Sequence, residues 1–247
     1  MRNAWSLFVV GFAAAALLVA TGCGSEDGTT DAAAQPASIN GSNVPTGGTE
    51  KPTATGLETP TTGPRIAGIA RDPLHPKVLM ETSLGNITIT LDAEKAGLTV
   101  DNFLNYVESG HYDQTIFHQV FQGYVALGGM YTPESVEKET AAPIRNEARN
   151  GLKNLRGTIA MARLPDSIDS ATSQFFFNVK DNPNLDHKDQ AAADYSTPED
   201  YGYCVFGKVT EGMEVVDRIA SVPVHDTGDF ERIPVETVLI RSIRRIP

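Results

Sequence analysis

The side chains best suited to bond-making chemistry are poorly grouped in this sequence. His111 and His118 are not at a metal-ligand spacing with acidic or thiol partners, so they make no zinc site. The run Asn182-Pro183-Asn184-Leu185-Asp186 has the oxygen-bearing residues of a calcium loop but lacks its glycine and its distal glutamate. Cys204 lies inside the apolar run Tyr203-Cys204-Val205-Phe206 and reads as a buried, inert thiol. The other cysteine, Cys23, belongs to an N-terminal processing signal, so no internal disulfide is expected. No metal and no cofactor is implied. What remains is a stretch rich in amide, aromatic and small residues, Phe117-His118-Gln119-Val120-Phe121-Gln122-Gly123-Tyr124-Val125-Ala126-Leu127-Gly128-Gly129, with Ser173-Gln174-Phe175-Phe176 downstream. Side chains of this kind donate neutral hydrogen bonds and line apolar pockets. Taken singly, Val125, Phe176 and Leu185 would be ordinary core.

The elements that must position them start late in the chain. Arg2 precedes an apolar run from Trp5 to Ala20, and Ala20-Thr21-Gly22 leads into Cys23, the pattern of a lipoprotein signal with alanine where leucine is usual. Residues 1–22 are therefore read as a signal peptide and Cys23 as the lipidated first residue of the mature chain. An uncleaved spanning helix fits less well, because the run is short and no basic cluster follows it. Residues 23–73 are rich in Thr, Gly, Ala, Pro and Ser, with too little apolar surface to offset the entropy of ordering, and read as a disordered tether. A flexible chain of ~50 residues has a reach of ~40 Å.

The folded domain is assigned to residues 74–247. Val78-Leu79-Met80 and Asn86 to Leu91 predict two strands joined around Ser83-Leu84-Gly85. Val100, Phe103, Leu104 and Val107 share one face of a helix, with Thr99 as its expected cap and Gly110 as its stop. Short strands are expected at 115–121, 124–127, 158–162, 174–179 and 203–209, a second helix at 213–221, and a last strand at Val238-Leu239-Ile240. Many short antiparallel strands with two helices predict a mainly β, closed barrel capped at its ends.

From about Lys77 to Ile246 the chain resembles the bacterial single-domain cyclophilins, which are peptidyl-prolyl isomerases. The resemblance rests on Thr115-Ile116-Phe117-His118, Asn146-Glu147-Ala148, Gly151-Leu152-Lys153-Asn154, Arg156-Gly157-Thr158, Ala160-Met161-Ala162-Arg163, Ser170 to Phe176 and Gly202 to Val209, in that order. It implies an eight-stranded antiparallel barrel, a helix over each open end, and a substrate groove on the barrel's outside. It also implies a proline pocket of Tyr124, Val125, Phe176 and Leu185 with Tyr203 at the rim. The substrate backbone would be gripped by Gln174 and by the main chain at Ala162 and Arg163. Two positions depart from the family. Gln119 stands where an arginine drives isomerisation, and Leu127 replaces a second groove glutamine. Gln119 keeps an amide donor and loses the charge, so a weakened isomerase is expected, with Arg163, Arg145 and Arg149 as candidate stand-ins. The rival reading is a non-catalytic proline-peptide-binding or chaperone module of the same fold.

Twenty Lys and Arg against thirty-one Asp and Glu leave a formal charge of −11, which offers no basic field for nucleic acid. The expected partners are proline-containing segments of exported proteins and, through lipidated Cys23, a membrane. A monomer is expected, in the bacterial cell envelope. Gly24 lacks the aspartate that retains many lipoproteins at the inner membrane, so in a two-membrane source the outer membrane, facing the periplasm, is the expected location. The stretch 186–199 is expected to be a surface loop beside the groove.

Overall fold

A computed structural model describes residues 72–188, 198–228 and 230–247. The signal peptide, Cys23, nearly all of the tether and most of the 186–199 loop lie outside the described residues.

β1 (Lys77–Thr82) and β2 (Gly85–Leu91) form the expected hairpin, with Val78, Met80, Ile87, Ile89 and Leu91 alternating into the interior. α1 (Gly97–Glu108) follows, then β3 (Thr115–Phe121), β4 (Val125–Gly128), β5 (Thr158–Met161), β6 (Phe175–Asn178), β7 (Val205–Glu211) and α2 (Met213–Ile219). The chain ends with β8 (Val224–Thr227), β9 (Phe230–Pro234) and β10 (Leu239–Ile246). Eight strands close a barrel in the order β1-β10-β3-β4-β6-β5-β7-β2, every neighbouring pair antiparallel. The interior is filled by one apolar cluster that includes Phe117, Phe175, Phe177 and Phe206. α1 adds Val100, Phe103 and Val107 to it, the Phe103 ring lying 5.2 Å from Phe206 and edge-on to Phe175 at 6.0 Å. α2 adds Val215, Val216 and Ile219.

The last strand runs on to Ile246, well past the expected Val238-Leu239-Ile240, and two further features differ from the sequence reading. Thr99 lies within α1, and the helix has no side-chain cap at Ala96. Glu147 does that work from a distant loop: its carboxylate accepts from the Leu98 and Thr99 amides (3.3 and 2.8 Å) and from Thr99 Oγ1 (2.7 Å). No local pattern shows a cap supplied from so far along the chain. At the other end Gly110, at φ +71, turns the chain as expected. The second difference is a separate two-stranded sheet, β8 with β9, that the sequence reading left out.

A candidate active groove on the outer face of the barrel

One extra residue in β3 decides what faces the groove. Phe117 pairs with Gly128 and Gln119 with Leu127, so His118 is an additional residue in the ladder. Phe117 and Val120, three apart, both point into the barrel. Regular alternation forbids that, and the bulge resets its phase. As a result Gln119 is placed opposite Leu127, and Phe121 joins the outer face opposite Val125.

The neighbouring strands alternate without interruption. In β6, Phe175 and Phe177 face inward and Phe176 outward; in β4, Ala126 faces inward between Val125 and Leu127. Ala160 and Ala162 on the β5 side and Val205 on β7 complete a second apolar cluster with Leu185, against which Phe121, Tyr124, Leu152 and Tyr203 pack. Six predicted pocket residues, Tyr124, Val125, Ala162, Phe176, Leu185 and Tyr203, are thus brought together. The Tyr203 ring stands edge-on to Phe176 at 5.6 Å.

Leu185 comes from a short turn, not from a strand, and a chain of buried asparagines fixes it. Asn182 Nδ2 donates to Asn178 Oδ1 (2.7 Å), Asn178 Nδ2 to Asn154 Oδ1 (3.1 Å), and Asn154 Nδ2 to the Leu185 carbonyl (3.0 Å). Each side-chain amide carries both donors and an acceptor, which lets such a relay run through a core. On the same side Asn184 Nδ2 donates to the Tyr124 hydroxyl at 2.6 Å, and partial burial raises that phenol's pKa. The Tyr203 side depends on Gly202, at φ +77, where an added Cβ would lie 2.4 Å from the His187 nitrogen.

The other edge is polar and less tied down. Gln119 is 6% exposed, and its side-chain amide makes no hydrogen bond among the described residues. Leu127 opposite is 3% exposed and offers no polar group. Gln174 is buried, donates to Met130 Sδ and lies against His118. To reach a substrate it would have to exchange that contact. Burial pushes the His118 imidazole down to about 4, so the ring is neutral and structural at neutral pH.

The arginines named as stand-ins are placed differently from one another. Arg163 is 2% exposed, with Nε on the Gly202 carbonyl (3.1 Å) and Nη1 on the carbonyls of Leu164 and Pro165 (2.8 and 3.3 Å). Its guanidinium stacks on Tyr203 at 4.8 Å, so it braces the rim. Arg149 lies over Tyr201 at 5.3 Å, and Arg145 is exposed. Cys204 sits in the inner cluster, its thiol pushed up to about 12 by burial, as an unreactive thiol should be. Sequence reasoning missed Phe121, Leu152, Ala160 and Val205 in this wall. Strand alternation from Gln119, Ala162 and Tyr203 carried the signal for all but Leu152.

The comparisons bear on what such a groove is for. Residues 77–245 match the family described as cyclophilin type peptidyl-prolyl cis-trans isomerase/CLD. The chain belongs to the cyclophilin-type peptidyl-prolyl cis-trans isomerases. It is 47% identical over 169 residues to peptidyl-prolyl cis-trans isomerase A of Dickeya dadantii, covering 68% of this chain and 84% of that one. To peptidyl-prolyl cis-trans isomerase cyp18 of Streptomyces antibioticus it is 48% identical over 167 residues, covering 68% and 96%. A Cryptosporidium parvum cyclophilin-type isomerase, solved in the presence of the dipeptide Ala-Pro, shares the fold with a TM-score of 0.58 at 24% identity, over 69% of this chain and 99% of that one. In this cyclophilin, then, an apolar cluster lies on the outer face of the barrel, and Gln119 pairs with one of its members, Leu127.

Proposed function

We propose that this cyclophilin turns X-Pro bonds in exported proteins at a reduced rate, with Gln119 as the donor at the reacting bond. Amide resonance sets a rotation barrier of ~18 to 20 kcal/mol, while cis and trans X-Pro differ by only ~0.5 to 1 kcal/mol. Catalysis needs no covalent step. The enzyme holds the proline ring, grips the flanking backbone, and aims a donor at the nitrogen whose lone pair localises as the bond twists. Tyr124, Val125, Phe176 and Leu185 hold the ring under Tyr203, and Gln174 with the main chain at Ala162 and Arg163 takes the backbone. The observation that carries the reading is the Gln119 amide, without a hydrogen bond among the described residues, beside an intact apolar pocket. A neutral donor contributes ~0.5 to 1.5 kcal/mol where a charged one gives ~1.5 to 3, so the rate falls roughly 5- to 30-fold below that of an arginine.

The test is isomerisation of a short X-Pro peptide by the full-length protein beside its Gln119→Arg variant. Slow turnover that rises in the variant supports the reading. Peptide binding with no turnover in either protein would make the groove a binding module, and turnover unchanged by the arginine would remove Gln119 from the mechanism.

The same proposal places the enzyme in the bacterial envelope as a monomer, tethered through lipidated Cys23, at the outer membrane if the source has two. The support is the run from Trp5 to Ala20 directly before Cys23. Fatty-acid labelling that survives Cys23→Ser would refute it.

A further inference from the structure

The β8–β9 hairpin lies beside β3, the strand that carries Gln119. Phe230 stands edge-on to Tyr131 at 5.0 Å, and Tyr131 to His118 at 4.9 Å, which docks the hairpin against the bulge. At the far end of β3, Gln122 Nε2 donates to the Val222 carbonyl (2.8 Å), and the Val235 amide closes the hairpin's base on Pro223 (2.9 Å). From β9, Arg232 reaches over the ring of Phe121, its guanidinium carbon 5.1 Å from the ring centre. Phe121 packs in the groove wall, two residues along β3 from Gln119, a separation of roughly 6.6 Å.

Arg232 is exposed, and its guanidinium has no ion pair or hydrogen bond among the described residues. Its backbone sits at φ +54, uncommon for a side-chain-bearing residue, with its amide held by Asp226 Oδ1 at 2.9 Å. Strain of that kind is kept where something else requires it. The Phe121 ring is half-buried, and an exposed cation resting on such a ring is held weakly enough to exchange for a stronger acceptor. Lys180, a second cation at the rim, lies over Tyr124 at 5.2 Å, beyond the β3–β4 turn from Gln119.

We propose that Arg232 supplies the positive charge that the groove lacks at position 119, its guanidinium leaving the Phe121 ring to join the neutral Gln119 amide in donating to the X-Pro amide as that bond twists. The chain thus has its cationic donor on a neighbouring hairpin instead of on β3. This inference rests on the reading that the groove turns X-Pro bonds.

The experiment is kcat/KM for an X-Pro tetrapeptide, with full-length protein, in a cycle of Gln119→Arg and Arg232→Gln, with Arg232→Lys added and thermal melting recorded for each. Arg232→Gln keeps the stem on Phe121 and removes the charge. Its kcat should fall roughly tenfold with KM little changed, and Arg232→Lys should recover part of the loss. In the Gln119→Arg background the same substitution should cost less than about threefold, because the charge is already present. A role confined to hairpin packing would give equal losses in both backgrounds, and that result overturns the inference, as does an unaltered rate in Arg232→Gln. Should Arg232→Gln melt early, Arg232→Gly, which relieves the positive φ, is read by the same criteria. If the unmodified protein turns over peptide while Arg232 proves neutral, only this inference falls. If no variant turns over peptide, Gln119→Arg included, both it and the isomerase reading fall.

Discussion

Phe176 and Leu185 on one side of the groove and Gln119 on the other are built into the same barrel by different means. The pocket side is continuous with protein packing: Phe176 and Leu185 are buried, and a relay of three asparagines ties the Leu185 turn to the strands. The Gln119 edge has a donor without a hydrogen bond among the described residues, a leucine opposite it and a cation that arrives from another hairpin. On the proposed function, the contrast separates holding a proline from accelerating its rotation. Substitutions on the pocket side damage stability and binding together, whereas the buried Gln119 side chain has no hydrogen bond among the described residues to lose.

Several measurements would break or sharpen that contrast. Phe176→Ala should cost the most, ~3 to 5 kcal/mol of unfolding free energy, together with peptide affinity. Denaturant melts and peptide titration check both, and lost affinity at full stability would sink the shared construction. Next comes acid. His118 is neutral in the fold with its pKa lowered to about 4, while the unfolded chain takes up that proton below about 6.5. Its stability contribution is therefore whole above pH 6.5 and is lost as pH falls from 6.5 towards 4, by roughly 3 kcal/mol. Asp113 and Asp217, held below the ordinary carboxylate range by hydrogen bonds to Arg244 and Arg156, titrate under that window. Melts at pH 7 and pH 4.5 check this, with His118→Gln shrinking the difference and His111, its pKa also lowered by burial, keeping part of it. Gln119→Arg should then raise kcat/KM 5- to 30-fold, ~1 to 2 kcal/mol, with a smaller loss in the melt than Phe176→Ala. Leu127→Gln should have the smallest effect, restoring one neutral arm for less than about 1.5 kcal/mol of substrate binding, read as a lower KM.

The barrel was legible because its strands alternate and its turns carry glycine, proline, asparagine and aspartate. That Tyr124, Val125, Phe176, Leu185 and Tyr203 gather on the outer face was legible through family resemblance, since Val125 and Phe176 taken alone look like core. The α1 cap was not, because Glu147 reaches it from a distant loop. The asparagine relay was hidden for the same reason: Asn154, Asn178 and Asn182 meet only once the barrel has closed. The β8–β9 hairpin had a readable turn in Asp226-Thr227-Gly228-Asp229, between Val224 and Phe230, and was passed over because its strands are short and largely exposed. Arg232 lies on that hairpin, outside the blocks that carry the family resemblance. Of the arginines named as stand-ins, Arg163 proves to be a brace beneath Tyr203.

β10 joins β1 to β3, pairing Lys77 with Ile246 along one edge and Ile116 with Leu239 along the other. A chain emerging amino end first therefore holds an open sheet with two unpaired margins until β10 is free. Only then does the cylinder shut and the bulged strand gain its second neighbour. Loss of β10 would leave the sheet open, with the β1 and β3 margins exposed to other strands.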